Sequence, residues 1–237
     1  VKMRINVGVE KYPEGRSIAW ALDYPGCFAN GSSDSEAIIR LPDALLRYKE
    51  WIDSHTTDSW MKDLGDFSIH LADTFEVYSI DEQYDPADNG YEVNAWFRHD
   101  WKPLTHEDIR RGLLTLQWSR VDLLELAAGL SADQLNQKFE GERWSILGVL
   151  NHVANAEHWY LDRLSLAHTE RNQLPSDVFD RLLAVREQLC RVLPTLAGSN
   201  LVVGVEGEFW SPRKVLRRAA WHEIDHIEHI FKLMAKL

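Results

Sequence analysis

The chain has 237 residues, with 26 Lys+Arg against 37 Asp+Glu, a formal net charge of −11, and is 45% hydrophobic and 27% charged. That balance belongs to a folded globular protein rather than a disordered one, and the length suits two domains or one large one. No stretch approaches the roughly 20 apolar residues needed to span a bilayer, Val1–Val9 is too short and polar for a signal peptide, and the acidic balance argues against nucleic acid, whose affinity comes from clustered Lys and Arg.

Cys27 and Cys190 lie far apart and make no disulfide framework, which fits a reducing compartment. The expectation is therefore a cytoplasmic protein with no membrane or nucleic-acid partner. A small-molecule substrate and a homodimeric state stay open.

Charge and pattern both change near residue 104. Residues 1–104 carry 10 basic and 19 acidic residues, a balance of −9, whereas residues 105–237 carry 16 and 18. In the first half, Met3–Val9 and Ser17–Leu22 read as short strands, and Thr74–Ile80 and Tyr91–Phe97 as two more. Between them Ala37, Ile38, Leu41, Leu45 and Tyr48 recur at helical spacing over Ser33–Trp51, with Ser33 or Asp34 as cap and Pro42 expected to bend or divide the helix. The result is a small α+β domain over residues 1–102.

The second half, residues 103–237, reads as four helices. Thr105 caps the first, with Ile109, Leu113, Leu116, Leu123 and Leu124 on its apolar side. The second starts near Ser145 and runs through Leu150, Val153 and Trp159. Ser176–Asp177 caps the third, with Leu182, Val185, Leu189 and Val192 inward and Gly198 just beyond its end. Ser211–Pro212 opens the last, proline standing in the first turn where its missing N–H costs nothing. Four such helices suffice for a bundle.

The last helix holds His222-Glu223-Ile224-Asp225-His226. On a helix, residues four apart lie about 6 Å apart along the axis on one side, so two imidazoles can reach one metal ion and the intervening Glu can polarise a bound water. From those residues alone, metal binding and a chance pattern both stay open. His229 shares the face but sits about 10 Å from His222 along the axis, too far for the same ion. Zinc peptidases with this motif draw their third ligand from downstream, where too little chain follows, so that ligand must come from another helix. His152, on or beside the apolar face of the second helix, is the candidate. Three buried imidazoles without partners would cost several kcal/mol, which one divalent ion would recover.

Trp144-Ser145 through His152 and Glu157, followed some 70 residues later by His222-x-x-x-His226, closely resembles the DinB/YfiT-like four-helix-bundle superfamily over about residues 105–237. The resemblance implies that His152, His222 and His226 bind a divalent metal, zinc or nickel. Its characterised members include thiol-dependent transferases and an isomerase, which implies a low-molecular-weight thiol cosubstrate. Three neutral ligands leave a tetrahedral ion one open position, as in catalytic sites. Two enzyme chemistries follow: attack by a bound thiolate, or metal-assisted hydrolysis. Glu223 is the candidate base, with a carboxylate that orients a ligand histidine as the alternative. Arg213, Lys214, Arg217 and Arg218 could hold an anion, but the weight falls on a solvated basic face.

Tyr24-Pro25-Gly26-Cys27 and Gly31-Ser32-Ser33-Asp34-Ser35-Glu36-Ala37 resemble the turn and helix start of HicB-like antitoxin domains over about residues 3–55. That resemblance implies the fold only, because no basic DNA-binding stretch follows. The rival to an enzyme is a binding or regulatory protein whose metal is structural or sensory and whose acidic N-terminal half docks a partner.

Overall fold

A computed structural model describes residues 3–237. The chain divides into two compact units, Val1–Lys102 with Val202–Lys214, and Pro103–Leu201 with Val215–Leu237.

In the first unit, β1 (Met3–Lys11), β2 (Ser17–Ala21) and β3 (Phe28–Gly31) are followed by α1 (Asp34–His55) and β4 (Phe67–Glu76). They form a four-stranded sheet of order β3-β2-β1-β4, in which β1 is antiparallel to β2 and parallel to β4. Tyr24–Cys27 makes the β2–β3 turn: Pro25 pre-sets one corner, and Gly26 takes φ 91°, which a side chain would resist. The Ser33 hydroxyl accepts the Glu36 N–H at 3.2 Å and starts α1.

Several strand expectations are corrected. The sequence reading omitted β3, a four-residue strand containing Asn and Gly, which have low strand propensity. The strand expected at Thr74–Ile80 lies instead at Phe67–Glu76, with only Ser79–Ile80 pairing as β5. An extra residue, Ala72, interrupts the β1–β4 ladder between Leu71 and Asp73 and disturbs the alternation by which a strand is recognised.

Of Tyr91–Phe97, only Tyr91–Glu92 pairs, as β6, with β5. Val93, Ala95 and Phe97 are buried alternately as a strand would bury them. Val93 still donates to the Tyr78 carbonyl at 2.9 Å, but three of the N–H groups that follow go to carboxylates: Asn94 to Glu208 at 2.5 Å, Ala95 to Glu10 at 3.2 Å and Phe97 to Asp100 at 2.9 Å. Pro42 does not divide α1. It forfeits one backbone bond, while Leu41, Ala44, Leu45, Tyr48 and Ile52 are buried around and beyond it. A hairpin of β7 (Val203–Val205) and β8 (Glu208–Trp210), absent from the sequence reading, also belongs to this unit.

The second unit is built on α2 (His106–Ala128), α4 (Ile146–Asp162), α5 (Val178–Val192) and α6 (Pro212–Met234), with a short α3 (Ala132–Asn136). Its caps are local and strong. Thr105 accepts the Asp108 N–H at 3.0 Å while the Asp108 carboxylate accepts the Thr105 N–H at 2.9 Å, and Ser145 and Asp177 cap α4 and α5. Leu123, Ala127, Val149, Leu150, Val153, Leu182, Val185, Ile230 and Leu233 form a common core drawn from all four long helices, which makes this unit a four-helix bundle. Gly112 lets α2 and α6 approach closely, since a Cβ there would sit 2.6 Å from Leu216.

Candidate metal centre

α4 and α6 bring His152, His222 and His226 together. The Nε2 atoms of His152 and His222 lie 3.0 Å apart, those of His222 and His226 3.2 Å apart, and the donor atoms of all three lie within 4.8 Å of one another. Three nitrogens held at 2.0–2.1 Å by a tetrahedral ion would be about 3.3–3.4 Å apart; the two close pairs match this within a few tenths of an ångström, and the third pair, within 4.8 Å, would close toward it around an ion.

Burial lowers the basicity of each ring. His152 is lowered by desolvation and by Arg143, and His222 well below its usual range by desolvation and its neighbouring imidazoles. His226 is lowered to about 3 by desolvation, His152 and His229. All three are therefore neutral at pH 7, the form that ligates metals.

The surroundings fix the rings. Trp144 stacks on His152 with centroids 4.4 Å apart and planes 23° apart, and Arg143 lies 4.4 Å over Trp144. Gly148, one turn after Trp144, makes room for it, because a Cβ there would come within 2.9 Å of the Trp144 Cβ. Tyr160 meets His222 edge-on at 6.1 Å. His229 faces Glu142 at 3.2 Å, outside the cluster, as its axial distance required.

Glu223 is placed elsewhere. Its carboxylate accepts from the Ser119 hydroxyl at 2.5 Å, from Arg120 Nε at 2.7 Å and from Arg186 Nη2 at 2.9 Å. Burial would raise its pKa, but Arg120 and Arg186 outweigh burial and hold it below the ordinary carboxyl value. It is one of four buried charges. Glu157 accepts from Arg120 at 2.9 Å and from two nitrogens of Arg186 at 2.9 and 2.7 Å, so α2, α4, α5 and α6 each contribute one member of a balanced quartet. The two arginines also donate to the Leu182 and Leu116 carbonyls. Sequence reasoning missed this network. Its trace was available: two acids and two arginines, each on the apolar stripe of a different helix.

The solvated basic face expected at the start of α6 is also corrected. Lys214 is fully buried, and Arg217 and Arg218 nearly so. The Lys214 ammonium donates to the Asn94 and Phe209 carbonyls at 3.0 and 2.9 Å and lies 4.2 Å over Trp210, interactions that replace its hydration. Arg218 packs 4.4 Å over Trp221. Cys27 is buried within its unit and its thiol pushed up by desolvation, as a packing residue should be.

The second unit is thus a four-helix bundle with a convergent three-imidazole cluster. Residues 115–230 match the family model described as the DinB superfamily. A solved structure described as YfiT from Bacillus subtilis, a probable metal-dependent hydrolase with an unusual four-helix bundle topology, is similar at 18% identity over 61% of this chain and 93% of that one, with a TM-score of 0.46. No curated protein matches. Among the described residues, no helix is long and apolar enough to cross a membrane.

Proposed function

We propose that His152, His222 and His226 hold one divalent metal ion, zinc or nickel, and that the bundle is a metal-dependent enzyme acting on a small-molecule substrate by thiol-dependent transfer or by hydrolysis. The observation that carries this reading is the convergence of three neutral Nε2 donors with no fourth His, Cys or carboxylate joining them among the described residues. A structural site is normally closed by a fourth protein ligand; three leave a position for a reactant. When bound, such an ion supplies Lewis acidity that makes water or a thiol nucleophilic near neutral pH. The chain's own contribution is orientation: Trp144 holds the His152 ring, and α6 presents His222 and His226 one turn apart.

Glu223 is better read as a positioning residue than as the base, because a carboxylate held by two guanidiniums and a hydroxyl is a poor proton acceptor. No thiol of the chain joins the cluster, so a thiol cosubstrate would come from solution. We also read the first unit as HicB-like in fold, on its Tyr24–Cys27 turn and its Ser33-capped helix.

Elemental analysis of untagged protein, paired with the spectrum of the cobalt form, tests the reading. About one equivalent of metal and a cobalt spectrum perturbed by added thiols are expected. Absence of stoichiometric metal even after reconstitution would overturn it, and a cobalt spectrum indifferent to every added ligand would favour the structural-metal alternative.

A further inference from the structure

We propose that the first unit carries a separate binding site for a small carboxylate- or phosphate-bearing ligand, in a recess of about 220 Å³ where Arg4, Arg98 and Lys102 converge. On β1, Arg4 and Asn6 alternate with the buried Ile5 and Val7 and so face the opposite side of the sheet. β4 runs parallel beside them with His70 opposite Asn6, and its extra residue, Ala72, opens the ladder at the floor of the recess. Bulges of this kind often border binding sites, where they redirect side chains.

One step further along β1 the same face is closed. A Cβ on Gly8 would lie 2.9 Å from the Phe97 ring, so that ring covers the strand there. The turn Arg98–Trp101 then carries Arg98 and His99 back to the recess, with Lys102 just beyond.

The charge distribution is what makes this recess unusual. Residues 1–104 hold only 10 basic residues against 19 acidic ones, yet three of the ten line one small cavity. Among the described residues none of those three side chains has a hydrogen bond or a close ion pair, and Lys102 acts only at longer range on Asp23, whereas Arg16, Arg40 and Lys49 in the same unit are each paired.

The acids nearby are already engaged. Asp73, which itself lines the recess, accepts the Arg98 and Thr74 backbone N–H groups at 2.7 and 3.0 Å, and Asp23 accepts from Asn6 at 3.0 Å and faces His99 Nε2 at 3.1 Å. His99 is itself only 6% exposed, and its Nδ1 is buried with no hydrogen-bond partner among the described residues. Unpaired guanidiniums in a recess are donors awaiting an oxyanion, which they bind bidentately and with more energy than neutral donors. The volume corresponds to roughly seven waters, which suits a small molecule and not a polymer.

The test is calorimetric titration of the metal-free 237-residue chain with inorganic phosphate and, separately, with succinate at low ionic strength. Saturable binding of at least one is expected, weakened at least tenfold in the double variant Arg4→Gln/Arg98→Gln and unchanged in Arg40→Gln, and whichever anion binds identifies the chemistry. Binding that persists in His226→Ala separates this site from the metal centre. Arg4 and Arg98 are exposed, so the variant should fold; should it not, Lys102→Gln alone reads the same loss. No saturable binding of either anion, or binding indifferent to these substitutions, would overturn the proposal.

Discussion

Arg186→Met removes one member of the buried quartet and leaves its shape nearly intact. The substitution deletes two of the three hydrogen bonds on Glu157 and one of the three on Glu223, together with the donation to the Leu116 carbonyl. Two carboxylates then share Arg120 in a site from which water is excluded. Breaking a buried pair by removing one partner costs ~3–5 kcal/mol, much of a total stability of about 5–15 kcal/mol.

Guanidinium unfolding of the metal-free protein should show a loss in that range at pH 7. The double variant Glu157→Gln/Arg186→Met restores neutrality and should cost less than the sum of the two singles. A loss under about 1 kcal/mol, or strictly additive singles, would refute the claim that these four charges act as one unit.

Three further outcomes follow from the site. His152→Ala and His226→Ala should each abolish stoichiometric metal binding, measured by elemental analysis, with the helical circular dichroism unchanged. The metal-free protein should lose stability as pH falls from about 6.5 toward 3: His226, lowered to about 3, stays neutral in the fold while its unfolded counterpart takes a proton, so thermal midpoints across that window should drop and those above pH 7 should be flat. Gly148→Ala should shift Trp144 off His152 and weaken metal affinity about tenfold with little change in folding stability, read by competition with a chelator and by Trp fluorescence.

What the sequence made legible follows from how local each feature is. The four long helices were placed within a few residues because their caps lie next to their apolar stripes: Thr105 with Asp108, Ser145 with Gly148, and Asp177 with Asp180 are contacts three residues apart. The histidines were legible because two share one turn of α6 and the third lies beside the apolar stripe of α4. Strand positions were less so. β4 is defined by its pairing with β1, more than 60 residues earlier, and Ala72 breaks the alternation that would have revealed it. The segment Val93–Phe97 carries the right alternation, but its Asn94 and Ala95 N–H groups go to carboxylates from distant parts of the chain rather than to a neighbouring strand.

The buried charges show why local rules mislead about α6 in particular. Read alone, Arg213, Lys214, Arg217 and Arg218 look like a hydrated face, and Glu223 like a general base between two ligands. Both readings assume that a charge on a helix meets water or substrate. In this bundle the facing helices supply counter-charges: Arg120 and Arg186 meet Glu223 on one side and Glu157 on the other, so the two helices that carry the histidines are tied through the same pair of guanidiniums. A change at Arg120 or Arg186, residues with no place in the imidazole cluster, should therefore alter the separation of His152 from His222. The carboxylate that the sequence offers for proton transfer is instead held between Arg120 and Arg186, and a substitution that spares those two partners, such as Ser119→Ala, should leave metal binding intact.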